Sequence, residues 1–345
     1  MSYPFFLRTI SRKAPVLLSF VLLSFVLLSF VLLSFVTSFL ATGCFRATPP
    51  EPRPVKMPEK HGISPVFLKK TVEQLAVHPR SHKNPEHYRA SALLIENHWR
   101  GLGLDVIHQK VPRSAKGTGN LIVRLGKKEG PRVVVGAHYD SAYDTPGADD
   151  NASGVAVLLA LSSLLAREKL PFTLELVAWA NEEPPYFRTN AMGSYVHAQS
   201  LKKEGINVVN MISIESVGYY SDKPDSQTYP SSLLGLRYPT VGNFLAVVGK
   251  AGDEDAVEDL ALSLSVDERL PVYSGTAARS IPGIDFSDHL NFWNAGFVGV
   301  MVTDTALMRN KNYHERTDTP DTLDYFRMMF VVKGLYRAIV ETKAK

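Results

Sequence analysis

Residues 131–165 read PRVVVGAHYDSAYDTPGADDNASGVAVLLALSSLL. The apolar run Val133-Val134-Val135 has no polar alternation, as expected of a strand covered by helices on both faces. It ends in His138 and Asp140. Pro146 and Gly147 then mark a turn, and a second apolar run begins, long enough for a helix. The rest of the chain repeats this alternation. Strand-like runs lie at Leu121–Leu125, Arg132–His138, Thr173–Ala180, Val208–Ile214, Phe244–Val248 and Phe297–Val302. Helical spacing marks Phe67–Val77, Pro85–Arg100, Ala152–Arg167, Ser194–Lys203, Asp253–Leu264 and Thr322–Thr342. Strands bounded by helices predict an α/β fold, a mixed β-sheet sandwiched between helices, in one domain over residues 64–345.

Bulk composition narrows the function. The 345 residues hold 38 Lys and Arg against 34 Asp and Glu, a formal charge of +4, which is small for the length. No Lys/Arg stripe with interleaved aromatics is present, which argues against nucleic acid as a partner. Pairs such as Lys127-Lys128 read as solvated surface.

The N-terminus points to a membrane. Arg8, Arg12 and Lys13 precede an uncharged apolar run from Ala14 to Ala41, within which Val-Leu-Leu-Ser-Phe occurs four times in tandem between Val16 and Phe35. A signal-peptide core is about 7–15 residues and a span needs about 20, so length favours an uncleaved anchor. Cys44, the single cysteine, follows Leu40-Ala41-Thr42-Gly43 and resembles a bacterial lipoprotein cleavage site, with Ala41 where Leu is usual. Residues 1–44 are thus a signal peptide or anchor with a possible lipobox. Both readings place the remainder outside the cytoplasm, tethered at the cell envelope. One cysteine permits no intrachain disulfide. Residues 45–63, with Pro49, Pro50, Pro52, Pro54 and Pro58, are expected to form a stiff extended tether.

Five groups of candidate ligands cluster where strand-like runs end, the place where α/β folds put active sites. His138 and Asp140 are two apart and can face the same way near a strand end. Asp140 is placed to orient the imidazole. Asp149-Asp150-Asn151 sits in the turn before the apolar helix and, taken alone, reads first as helix capping. Asn181-Glu182-Glu183 follows a strand, where adjacent side chains diverge, so one acid can bind metal while its neighbour handles a proton. Glu215 ends an apolar run and needs a partner. His314 lies in a polar loop, where it could be a plain surface residue.

Together these groups resemble the M28 family of co-catalytic zinc peptidases. The ordered pattern is His138-Tyr139-Asp140-Ser141, Gly147-Ala148-Asp149-Asp150-Asn151-Ala152-Ser153-Gly154, Asn181-Glu182-Glu183, Glu215 and Tyr313-His314. Ser287-Asp288-His289 and Asn294-Ala295-Gly296 fit as well. The resemblance spans roughly residues 65–340. It implies a zinc-dependent exopeptidase-like fold and two Zn2+ ions. Asp150 would bridge the ions, His138 and Glu215 would complete one site, and Glu183 with His314 the other. Glu182 would be the general base. It also implies a cis peptide at Asp150–Asn151. Two departures stand out: many relatives have Asp where Glu215 stands, and Asn151 replaces an acid found in some. Three carboxylates against two zinc ions leave one positive charge, which favours a bound hydroxide.

The implied activity is an aminopeptidase acting on peptide or protein N-termini. A carboxypeptidase or glutaminyl cyclase-like acyltransferase on the same fold is the neighbouring reading. A catalytically dead envelope binding module is the reading from another class, against which the retained Glu182 counts. Asp288 and His289 are expected in a pocket wall or behind the ligands. Tyr219, Tyr220 and Tyr313 are candidates for the pocket lining, and the loops Ser221–Tyr238 and Val272–Asp285 for the side-chain preference. His61, His78, His82, His87, His98, His108 and His197 lie outside the motifs and read as surface or helix residues. The oligomeric state is open.

Overall fold

The computed structural model describes residues 45–46, 48–55 and 63–342. The apolar N-terminal run, Cys44 and His61 lie outside the described residues. Among the described residues no helix is long and apolar enough to cross a membrane.

Nine strands form one sheet: β1 (Phe45–Arg46), β2 (Ile107–Gln109), β3 (Asn120–Gly126), β4 (Arg132–His138), β5 (Thr173–Trp179), β6 (Val208–Glu215), β7 (Leu245–Lys250), β8 (Val272–Ala277) and β9 (Gly299–Thr303). Their spatial order is β1-β8-β7-β9-β6-β4-β5-β3-β2. The four central strands β9, β6, β4 and β5 run parallel. β7 and β3 flank them antiparallel, which makes the sheet mixed.

The lack of alternation in β4 has a direct cause. Val133 and Val135 pack into the larger apolar cluster, and Val134 into a second cluster on the other face. Side chains alternate in direction along a strand, so both faces must be apolar to be covered. The larger cluster includes helices Gly154–Leu165 and Tyr325–Val340; the smaller includes residues of helices Gly193–Lys203 and His289–Ala295. Every residue of Gly154–Leu165 is buried, which explains its uniformly apolar sequence. Helix starts follow capping chemistry: Ser64 Oγ accepts the Phe67 N–H, and Asp324 accepts from Phe326 and Arg327.

Topology brings the candidate ligands to one edge. His138 pairs in register with Trp179, and Gly136 with Ser213. Two residues beyond that second pair, His138 and Glu215 end adjacent parallel strands. Asn181-Glu182-Glu183 leaves the end of β5 on the other side of β4.

Several expectations need correction. The segment read as an extended tether is partly docked. Phe45–Arg46 pairs antiparallel with β8, the Arg53 N–H donates to the Ser265 carbonyl, and the Arg53 carbonyl accepts from Arg337. The loop expected over 272–285 is strand β8 for its first six residues; Ser274-Gly275-Thr276 dilutes its apolar signal. β2, with three residues, and the seven-residue helix His289–Ala295 are too short to show a period. His197 does lie on a helix but is buried: its Nδ1 accepts the Trp179 indole N–H at 3.2 Å, and its Nε2 meets Glu175 at 3.0 Å.

Candidate metal centre

The loop that carries Asp150 is shaped by small residues and held by polar ones. Gly147 has φ of 62°, and a Cβ there would strike the Asp150 carbonyl and lie 2.6 Å from Ser141 Cβ. Gly154 abuts Asn151, and a Cβ at 154 would lie 2.7 Å from the Ile214 carbonyl. Asn151 ties the loop to the end of β6. Its Oδ1 accepts the N–H groups of Gly154 and Ser216, both at 3.1 Å, and its Nδ2 donates to the Ile214 carbonyl at 2.8 Å. An amide can both donate and accept here, which a carboxylate cannot. The Asp150–Asn151 peptide is cis.

Asp150 stands between two donor sets. Its Oδ1 is 3.2 Å from His138 Nε2, which is also 3.2 Å from Glu215 Oε2. Its Oδ2 is 3.1 Å from His314 Nε2, which is 3.3 Å from Glu183 Oε2. His138, Asp150 and Glu215 thus form one group able to hold a metal ion, and Asp150, Glu183 and His314 another. His138, Glu182 and Glu183 also lie together, with donor atoms within 4.8 Å of one another. The structure therefore brings all six motif residues into one site. Solvent reaches it beside His314, whose side chain is 32% exposed; the other ligand candidates are buried. Tyr313 stacks on His314 with ring centroids 4.0 Å apart.

These donors fit zinc. His138 Nε2, His314 Nε2 and Glu183 Oε1 are buried without hydrogen-bond partners among the described residues. Unpaired buried polar atoms are costly, so groups this close but not hydrogen-bonded suit a shared cation. Ligand atoms at about 2.0–2.1 Å from a tetrahedral zinc lie about 3.3 Å from one another, close to the spacing observed here.

Electrostatics point the same way. Burial alone would raise the Asp150 carboxyl, but contacts with His138 and His314 hold it far below the usual range. Burial would lower His314, yet Asp150 and Glu183 carry it up to about 11, and His138 is raised well above its ordinary value against the same penalty. Burial, then the Asp150 charge, pushes Glu183 up to about 7. Glu182 is raised well above the carboxylate range by burial and by neighbouring acids, against the opposing pull of His138. A pocket this rich in carboxyls binds either protons or cations.

The backbone supports are carboxylates too. Asp140 accepts the Glu182 N–H on Oδ1 at 3.1 Å and the Glu183 N–H on Oδ2 at 3.0 Å, while His138 Nδ1 lies 3.5 Å away. Asp318 does the same for Asp149 and Asp150, at 2.9 and 3.1 Å. Ser287 and Ser216 hydroxyls hold the two oxygens of Glu215, at 2.7 and 3.0 Å. Buried Arg80 donates to the carbonyls of Tyr139, Pro146 and Gly147, joining the His138 and Asp150 loops.

Sequence reading missed Arg80 and Asp318, because nothing local distinguishes either from a surface charge. Asp149 is a tie rather than a cap: its oxygens accept from Gly218 N at 2.9 Å and Asn310 Nδ2 at 2.9 Å. Asp288 is fully buried, and burial pushes its carboxyl up to about 7, against the opposing pull of His138. His289 bonds the Ile284 carbonyl through Nε2 at 2.8 Å and lies outside the ligand groups.

Known proteins resemble this chain in sequence and in fold. The chain is 44% identical over 290 residues to the Escherichia coli (strain K12) protein named "Uncharacterized protein YfbL", covering 81% of this chain and 89% of that one. A "Probable zinc metalloprotease" of Pyrenophora tritici-repentis (strain Pt-1C-BFP) is 30% identical over 184 residues, 48% of this chain and 41% of its own length. The crystal structure of the Legionella pneumophila LapA aminopeptidase shares the fold with a TM-score of 0.65 at 18% identity, over 81% of this chain and 72% of that one. Residues 120–329 match the model of peptidase family M28. With the family model covering more than half its length, the chain belongs to peptidase family M28.

Proposed function

We propose that this peptidase is an aminopeptidase with two zinc ions, removing N-terminal residues from peptides at the cell envelope. One observation carries the reading: Asp150 turns one carboxylate oxygen to His138, which also meets Glu215, and the other to His314, which also meets Glu183. His138, Asp150 and Glu215 would hold one ion, and Asp150, Glu183 and His314 the other. Zinc bound there supplies Lewis-acid chemistry, polarising the scissile carbonyl and acidifying the attacking water.

The protein's own groups do the rest. Glu182 is left outside both Asp150-centred sets yet lies within reach of His138 and Glu183, which suits a group that takes the water's proton and returns it to the leaving amine. Asp140 fixes the backbone of Glu182 and Glu183, so base and ligand keep their relative positions. Exposure beside His314 supplies the route for substrate. The tether and envelope location rest on the N-terminal sequence, with Cys44 lipidation or an uncleaved anchor as the two forms.

The test is hydrolysis of free and N-blocked dipeptides together with zinc content. Cleavage of free peptides only, with two zinc equivalents and reversible loss on chelation, is expected. Cleavage of N-blocked peptides from the C-terminus would make it a carboxypeptidase. One equivalent with cyclisation of N-terminal glutamine would make it a cyclase.

A further inference from the structure

A cavity of about 290 Å³ lies among residues 188–195 and 279–294, and most of the residues that line it carry polar or charged side chains. Two arginines, Arg188 and Arg279, enter it against one carboxylate, Asp285. Arg188 donates to Asp285 at 2.6 Å and lies between the Phe187 and Phe286 rings, 5.4 and 5.5 Å from their centroids. Arg279 donates to Asn294 Oδ1 at 2.9 Å and lies 5.6 Å over Trp293. Among the described residues no carboxylate pairs with Arg279. Arginine stays charged, so the cavity carries one uncompensated positive charge. Asn190 and Tyr195 add neutral donors.

The cavity is close to the reaction centre. Ser287 Oγ donates to Glu215 Oε2 at 2.7 Å, and Asp285 is two residues earlier in the chain, so their Cα atoms are at most about 7 Å apart. Arg188 lies on the loop that leaves Glu183. An extended peptide advances about 3.3 Å per residue, so a group a few residues from the cleaved bond can enter a cavity joined to the centre by these short stretches of chain.

We propose that this cavity is a substrate subsite for a carboxylate, received by Arg279 with Arg188 beside it. The inference rests on peptide cleavage at the adjacent centre. Stacking on aromatic rings pre-orients both guanidinium forks, which reduces the ordering cost of binding a planar anion. A cationic side chain would have to displace Arg188 from Asp285 and would be repelled by Arg279. The carboxylate has two sources: an acidic side chain near the N-terminus, or the C-terminal carboxylate of a short peptide.

The experiment uses the full-length chain and initial rates on four substrates: Ala-Ala-Ala amide, Ala-Ala-Ala, Ala-Ala-Glu amide and Ala-Ala-Ala-Glu amide. At least one anionic peptide should exceed Ala-Ala-Ala amide by about 10- to 100-fold in kcat/KM, the range of a charge-assisted hydrogen bond. Which one identifies the source. Arg279→Gln leaves the Arg188–Asp285 pair in place and should collapse the preference ratio, and added salt should shrink it in wild type. Equal values for all four peptides, or a preference that survives Arg279→Gln, overturn the proposal. If none is cleaved, the aminopeptidase reading fails by itself, and calorimetry with glutarate decides the subsite. Binding lost in Arg279→Gln sustains it; no binding, or binding that survives the substitution, overturns it.

Discussion

Asp140 and Glu183 are joined by a hydrogen bond from the Glu183 N–H to Asp140 Oδ2 at 3.0 Å, while the other oxygen of Asp140 accepts from Glu182 at 3.1 Å. One carboxylate thus sets two consecutive peptide units. Asp140→Asn keeps the shape but turns an N–H₂ group toward one of these N–H donors. Metal affinity or turnover should fall by about 10- to 100-fold, the usual cost of losing a group that orients ligands. Zinc titration and steady-state kinetics read the two effects; if both stay at wild-type values, Asp140 is not a positioning residue.

Glu182 and Glu183 are adjacent, yet Glu183 Oε2 faces His314 at 3.3 Å and Glu182 belongs to neither Asp150-centred group. Glu182→Gln should keep zinc content near normal and lower turnover by at least about 10²–10⁴-fold, the contribution of general acid–base catalysis. Glu183→Gln should weaken one metal site, with partial recovery in added zinc. Metal loss in the first variant and retention in the second would reverse the roles.

Asp150 touches both donor sets and His314 only one. Asp150→Ala should therefore lose both zinc equivalents and His314→Ala mainly one, as read by elemental analysis. Without metal, His314 stays protonated up to about pH 11, so at neutral pH zinc must displace its proton. Apparent affinity should rise with pH, and calorimetry in buffers of different ionisation enthalpy should detect proton release. Affinity independent of pH would contradict the ligand set.

Away from the centre, Glu175 is fully buried in β5 and meets Arg124 at 2.7 Å, Arg132 at 3.1 Å and His197 at 3.0 Å. Burial opposes its ionisation, but these partners win and lower its pKa from 4.5 to about 2. A depressed folded pKa gives stability that is present above pH 4.5 and lost as pH falls through 2. The size is about 3 kcal/mol. Glu175→Gln in chelated protein should reduce stability at pH 6 by about 3–5 kcal/mol and much less near pH 2. Urea melts at several pH values test this; an equal loss at every pH would show that charge is not the cause.

The tether is tested by Cys44→Ser. A lipoprotein loses acyl labelling and processing, whereas an uncleaved anchor is unaffected. Wild-type protein found only in the soluble cytoplasmic fraction would remove the envelope reading altogether.

Local sequence was enough for the alternation of strands and helices; His138, Glu182-Glu183 and Glu215 were legible because each lies at a strand end, whereas Asp150 and His314, in loops, were read from the ordered family pattern. The alternation and the strand ends rest on short-range rules: burial on two faces demands apolar runs, and turns demand Gly and Pro. Several features needed the folded chain. Asp318 lies 168 residues from the N–H of Asp150 that it receives, and Arg80 lies 67 from the Gly147 carbonyl. Neither carries a local pattern, because a buried charge and a solvated one look alike in sequence. β8 escaped notice because its place in the sheet comes from pairing with β7, not from its own Ser-Gly-Thr composition. Sequence alone identified Glu182, Glu183, Asp150, His138, Glu215 and His314 as candidates. Tertiary structure assigned the two oxygens of Asp150 to different partners, because sidedness of a carboxylate exists only once distant strands and loops converge on it.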